Sequence, residues 1–123
     1  VNRILADTSI WINHLRYDNP ELTGLLVRGK IVCHPFIVGE IVCGNLKNRS
    51  EIISLLLNLP MTEVYEIEAI LKFIEIHKLM GLGIGIVDIH LLMSAFTNKI
   101  LIWTGDKRLG CAAEHFGIRF RGI

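Results

Sequence analysis

Four carboxylates stand where the apolar pattern of the chain leaves them no obvious place: Asp7, Glu40, Asp88 and Asp106. Asp7 directly follows the run Arg3-Ile-Leu-Ala6, and Asp106 follows Ile100-Leu-Ile-Trp103 after Thr104-Gly105. Glu40 lies inside Phe36-Ile-Val-Gly-Glu-Ile-Val-Cys43. A glutamate is almost never fully buried without a partner, and a solvated face would need an exposed stripe that this segment barely supplies. Asp88 follows Gly-Ile-Gly-Ile-Val and heads a stretch with apolar residues at helical spacing. Taken singly, each aspartate reads as a helix N-cap or a first-turn acid favoured by the helix dipole. Taken together on one crevice, the four would repel one another unless a cation lay between them. An all-oxygen set without cysteine selects a hard ion, Mg²⁺ or Mn²⁺. Metal-assisted attack of water on a phosphodiester is the chemistry that uses such a cluster most directly.

For these acids to meet, the ends of separate elements must converge. Arg3–Ala6 reads as a short buried strand ending in Asp7-Thr8-Ser9, three possible N-cap residues before the apolar-periodic stretch Ile10–Leu15. Asn19-Pro20-Glu21 starts a second helix that runs to about Arg28-Gly29. Ile31–Cys33 is a strand, His34-Pro35 opens a helix through Val42, and Asn48–Glu51 precede a leucine-rich helix that stops at Pro60. Thr62–Tyr65 is a further strand candidate. Glu66–Met80 is a helix with apolar Ile67, Ile70, Leu71 and Ile74 and a Glu68/Lys72 pair on its wet side; Gly81, Gly83 and Gly85 end it. Asp88 starts the next helix, with Leu91, Leu92, Ala95 and Phe96 as its buried stripe and His90 turned away from it. Ile100–Trp103, Asp106–His115 and Ile118–Phe120 follow as strand, short helix and strand. This alternation predicts an α/β fold, a three-layer α/β/α domain with a mostly parallel sheet of about five short strands. Open sheets of this kind bind ligands past the carboxyl ends of their strands, where strand order reverses. With Arg3–Ala6 central and Ile100–Trp103 beside it, Asp7 and Asp106 flank one crevice.

The bulk properties agree with such a domain. A chain of 123 residues and 13.9 kDa supplies one domain, residues 1–123, and is too short for two ordinary ones. A hydrophobic content of 51% and a mean hydropathy of +0.47 exclude disorder. Lys and Arg number 13 against 12 Asp and Glu, so a net charge of +1 neither marks nor excludes a nucleic-acid binder. Cys33, Cys43 and Cys111 form no C-x-x-C pair and read as three buried thiols in a reducing cytosol. Val1–Ala6 has no signal-peptide pattern, and the most apolar stretch, Gly81–Phe96, contains Gly83, Gly85, Asp88 and His90, which argue against a membrane span. The expectation is a soluble, cytoplasmic protein. His14, His77 and His115 read as surface or helix-end residues, and Trp11 and Trp103 as core or dimer-contact aromatics. Lys47, Arg49, Lys107 and Arg108, at element ends, are the candidates for phosphate contact.

The pattern Asp7-Thr8-Ser9, Gly39-Glu40, Asp88-Ile-His-Leu-Leu-Met-Ser-Ala95 and Trp103-Thr104-Gly105-Asp106-Lys107-Arg108-Leu109 resembles the PIN-domain nucleases. More narrowly, with Ile10-Trp11-Ile12 and Cys33-His34-Pro35-Phe36, it resembles the VapC toxins of prokaryotic toxin–antitoxin modules, over essentially the whole chain. The resemblance implies a Mg²⁺-dependent endoribonuclease, an RNA substrate, a homodimer, and a cognate antitoxin whose extended tail wraps the toxin. Asp7 and Asp88 match the family's principal metal ligands and Glu40 and Asp106 its remaining site acids. Ser9 and Thr104 match hydroxyls that brace the site. Gly85 within Ile84-Gly85-Ile86 departs from the pattern and loosens the turn before Asp88. Rival readings fare less well. A phosphoacceptor receiver domain needs an adjacent acidic pair after its first strand, where Asp7-Thr8-Ser9 has one acid. A non-catalytic binding module would have lost at least one of the four acids. A structure-specific DNA nuclease is the nearer alternative, although such enzymes usually carry extra domains or more acids.

Overall fold

Strand β1 (Ile4–Ala6) lies between β2 (Ile31–Val32) and β3 (Leu101–Trp103) and runs parallel to both. The computed structural model that shows this describes residues 2–122; Val1 and Ile123, the two ends of the expected domain, lie outside the described residues. Ile4 pairs with Ile31 and Leu101, Leu5 with Val32 and Ile102, and Ala6 with Trp103. Every residue of β1 and β2 is buried. Both faces of the sheet are therefore covered, which is why these strands read as unbroken apolar runs instead of alternating ones.

Among the described residues the expected five strands resolve into three strands and two single bridges. On one edge Cys33 bridges Met61, with the Cys33 amide donating to the Pro60 carbonyl and the Thr62 amide to the Cys33 carbonyl, both at 2.8 Å. On the other, Ile102 bridges Arg119 through Ile102 N to Ile118 O and Phe120 N to Ile102 O, both at 2.7 Å. The fifth expected strand, Ile118–Phe120, is reduced to a bridge at Arg119, whereas the fourth, expected at Thr62–Tyr65, gives way to a bridge one residue earlier, at Met61. Edges this short offer little for another chain to pair with.

Among the described residues seven helices surround the sheet: α1 (Thr8–Tyr17), α2 (Pro20–Val27), α3 (Pro35–Val42), α4 (Arg49–Leu57), α5 (Ile67–His77), α6 (Ile86–Asn98) and α7 (Lys107–His115). α1, α3 and α4 pack in sequence on one another, and α5, α6 and α7 do likewise; α1 contacts β1, and α6 and α7 contact β3. One buried core runs from Leu5 and Ile102 in the sheet to Trp11, Ile37, Leu91 and Leu109 on the helices. Trp11 and Trp103 both belong to it. No helix among the described residues is long and apolar enough to cross a membrane.

Several expectations change on contact with the packing. Helix α6 begins at Ile86 with Gly85 as its extended N-cap, so Asp88 is a first-turn residue and not the start of the helix. Its buried set includes His90 and Ser94 as well as Leu91, Leu92 and Ala95, while Phe96 is 41% exposed. The helix is enclosed on more sides than a single stripe allows for. His90 packs its ring 4.7 Å from Phe36 and 6.4 Å from His34. Of the three thiols only Cys33 is buried; Cys43 and Cys111 are exposed.

Candidate active site

Three of the four acids are placed by a helix start, and Glu40 by the body of α3. Asp7 is the N-cap of α1, where its Oδ1 accepts from the Ile10 amide at 3.2 Å. Asp106 is the N-cap of α7 and accepts from the Leu109 amide at 2.9 Å. The capping reading of these two is correct as local structure. The N-cap position also sets them just past the carboxyl ends of β1 and β3, which are paired neighbours. Asp88 arrives on the first turn of α6. Glu40 sits on α3, whose N-terminus is held by His34 Nδ1 accepting from the Phe36 amide at 2.9 Å. His34 is fully buried, and burial, with a further push from His90, lowers its imidazole to about 4 and keeps it neutral.

Asp7 is 5% exposed, and its carboxylate is gripped from the β3–α7 loop by two parallel relays. The Gly105 amide donates to Ser9 Oγ at 2.9 Å, and Ser9 Oγ donates to Asp7 Oδ1 at 2.5 Å. The Asp106 amide donates to Thr104 Oγ1 at 2.9 Å, and Thr104 Oγ1 donates to Asp7 Oδ2. Each hydroxyl accepts from an amide and so must point its proton at the carboxylate. Oδ1 takes two donors and Oδ2 one, which leaves acceptor capacity on Oδ2. Ser9 and Thr104 therefore fix the orientation of Asp7.

Glu40 is exposed, contrary to what its apolar surroundings suggest. Pro35, Gly39 and Cys43 share the exposed side of α3 with it, and Ile37 and Ile41 fill the buried side. The stripe is there, but small residues make it, and small residues are hard to see as a polar face. Glu40 Oε1 accepts from Thr8 Oγ1 at 2.5 Å, which ties α3 to the start of α1 across 32 residues of sequence. By its sequence Thr8 is a capping alternative to Asp7. Its position beside Asp7 was the only available signal of a role near the site.

The electrostatics join the four. The Asp88 carboxyl is raised to about 6, first by burial and then by the charges of Asp106, Asp7 and Glu40. Asp7 is raised as well, burial outweighing the hydrogen bonds from Ser9, Thr104 and Ile10. Asp88 is thus the point at which the field of the other three is felt. Among the described residues no three acidic, histidine or cysteine side chains are drawn into a closed ligand set. The acids are in electrostatic reach of one another and held apart. The donor chemistry nevertheless suits a hard divalent cation: oxygen only, a spare acceptor site on Asp7, and a half-buried carboxylate whose ionisation three like charges oppose.

No family model matches the chain. Two curated relatives, both named Ribonuclease VapC32 and from two strains of Mycobacterium tuberculosis, are 38% identical to it over 116 residues, 94% of this chain and 94% of each relative. The chain belongs to the VapC-type PIN-domain nuclease family. The crystal structure of PAE2754 from Pyrobaculum aerophilum is similar with a TM-score of 0.60 over 94% of this chain and 90% of that one, at 14% identity, which speaks for the fold alone. In this VapC-family chain, the likeness to VapC32 extends over nearly the whole length.

Proposed function

We propose that the protein is a Mg²⁺-dependent endoribonuclease that acts as the toxin of a type II toxin–antitoxin module. The observation that carries this reading is the raising of Asp88 by burial and by Asp106, Asp7 and Glu40 together, in a chain whose relatives are named ribonucleases. Asp7, Glu40, Asp88 and Asp106 would hold the ion and form the catalytic centre, with Mn²⁺ as a possible substitute. Bound there, the ion would supply a water of lowered pKa and offset charge on the phosphorane-like transition state. The chain's own part is to keep oxygen ligands in place before the ion arrives. Ser9 and Thr104 orient both oxygens of Asp7, Thr8 holds Glu40, and the helix ends fix Asp7 and Asp106. Asp7 would then need little reordering to accept the ion, while the other acids would have to close on it. The net charge of +1 is consistent with this, because an ion at the scissile phosphate provides the positive field that the chain lacks overall.

The expected partners are RNA, a second copy of the chain, and a cognate antitoxin, with the cytoplasm as the compartment where all three meet. An Arg or Lys of the antitoxin's tail placed among the four carboxylates would substitute for the cation and block the site. Antitoxin binding that is indifferent to removal of every basic residue of that tail would refute this mode of inhibition. The deciding experiment for the activity is incubation of the pure protein with total RNA and with branched and flapped DNA, in Mg²⁺ and in EDTA. RNA fragments in Mg²⁺ alone are expected. Cleavage of DNA in place of RNA would establish the alternative nuclease reading, and no cleavage of either would overturn the assignment.

A further inference from the structure

We propose that the groove between the α5–α6 loop and α7 is the track along which single-stranded RNA is held as it enters the carboxylate site; this rests on the ribonuclease reading above. The groove has a volume of about 810 Å³ and is rimmed by Lys78, Lys107 and Arg108, with no carboxylate among its lining residues. Its floor is apolar and aromatic, formed by buried Leu79 and Ala112 and half-buried Phe116. In a chain whose charges otherwise nearly cancel, three cations facing one groove without a counterion make a local positive field.

The placement of two of these cations has no local reason. Lys107 and Arg108 occupy the first turn of α7, where the helix dipole favours acids and disfavours bases. Neither they nor Lys78 has an ion-pair partner among the described residues; the ion pairs there join Glu114 to Arg119 and to Arg121. The loop is shaped to Arg108. Its guanidinium lies over Gly83, where a Cβ would come within 2.6 Å of Nη1 and where φ is +73°. Cations at the positive end of a helix, against a loop that leaves room for them, form a place for an anion.

None of the four acids lines the groove, but its rim adjoins one of them along the chain. Lys107 and Arg108 follow Asp106, the N-cap of α7 and one of the four acids. A phosphate held by Arg108 therefore belongs to a strand whose continuation reaches the carboxylates. The rings of Phe116 and His77, 4.9 Å apart edge to face, and the exposed imidazole of His115 line the same groove. Unpaired bases stack on such rings, whereas a duplex hides its base faces, so the arrangement suits a single strand. A peptide could use the apolar floor, but it would leave the three cations unanswered unless it too were acidic.

The test uses the full chain and a fluorescein-labelled, mixed-sequence single-stranded RNA, with anisotropy measured in EDTA and cleavage in Mg²⁺. Lys78 has φ +53°, a conformation asparagine accepts, so the double variant Lys78→Asn/Arg108→Gln keeps the backbone. It is expected to bind at least about tenfold more weakly, with a salt slope less negative by about 1.4, two contacts at about 0.7 each. The KM for RNA should rise in parallel while kcat changes less than about threefold. The same sequence in duplex form should bind the wild type about tenfold or more weakly. Should the double variant not fold, Lys107→Gln, an exposed change, supplies the same readout at half the slope change. Wild-type Kd and KM in a folded variant would overturn the track and leave the ribonuclease reading intact. Loss of affinity for a protein partner alone would make the groove a protein site and refute the proposal. A wild-type chain that neither binds nor cuts RNA would overturn both readings.

Discussion

Asp7 and Asp88 occupy different environments, and their replacement should separate accordingly. Asp7→Asn and Asp88→Asn keep side-chain volume and remove a ligand charge, and both are expected to abolish Mg²⁺-dependent cleavage with the fold intact. Full activity in both would sink the site. Asp7→Asn should also lower stability by about 1–2 kcal/mol, because it weakens a buried carboxylate's bonds to Ser9, Thr104 and Ile10. Burial raises both carboxyls, but among the described residues Asp88 has no hydrogen bonds whose loss would offset the relief of removing its charge. Its folded pKa of about 6 lies above the ordinary 3.8, so the fold favours the protonated form. The ionisation penalty is absent below about pH 4, grows as pH rises through 4 to 6, and is fully present above. In EDTA at pH 7.5, Asp88→Asn should melt above the wild type, and the gap should close as pH falls towards 4. Mg²⁺ should raise the wild-type melting temperature by several degrees, as about 2.7 kcal/mol at a hundredfold excess over Kd implies, and raise the variant's less. Equal destabilisation by the substitution in EDTA and in Mg²⁺ would leave Asp88 as a first-turn helix acid only.

At the scale of elements, the same side chains cap helices and crowd the site, and substitution can divide the two roles. Asp106→Ser retains a side-chain acceptor for the Leu109 amide and loses the charge, whereas Asp106→Ala loses both. The serine variant is expected to fold about 1 kcal/mol more stably than the alanine variant and to show the same loss of cleavage. Undiminished cleavage in Asp106→Ser, measured on the same RNA, would confine Asp106 to capping α7. The elements also show what sequence periodicity could reach. Asp7-Thr8-Ser9 before Ile10 and Asp106 before Leu109 are readable because a cap interacts within three residues of itself. The start of α6 at Ile86 was not readable, because Gly85 caps it without a side chain and Asp88 imitates a beginning. His90 was misplaced for a related reason: a helix enclosed by α5, α7, β3 and the Phe36 ring buries more than one stripe.

For the whole molecule, a 51% hydrophobic chain leaves apolar area on its surface. Val64, Ile67 and Leu71 are 47%, 53% and 54% exposed, and Ile67 and Leu71 lie at i,i+4 on α5. A homodimer is expected, and light scattering at tens of micromolar (roughly, above typical weak-dimer constants) should return twice the chain mass. A monodisperse monomer there would count against it. Leu71→Glu should shift the equilibrium towards monomer if this face of α5 is the one covered.

The sequence alone determined the parallel α/β order, because buried parallel strands are continuous apolar runs and their crossover helices carry their own start signals. It also singled out the four acids as candidates, since each interrupts an apolar run and capping explains the aspartates only one at a time. The tertiary structure decided what depends on distance. It reduced the outer two strands to single bridges at Met61 and Arg119, exposed Glu40 through the small neighbours Gly39 and Cys43, and brought Thr8 to Glu40. It also joined Thr104 to Asp7 across 97 residues. Local pattern records which face of an element is apolar. Which charges share one crevice, and how far they raise one another, follows only when the chain closes and water is excluded from between them.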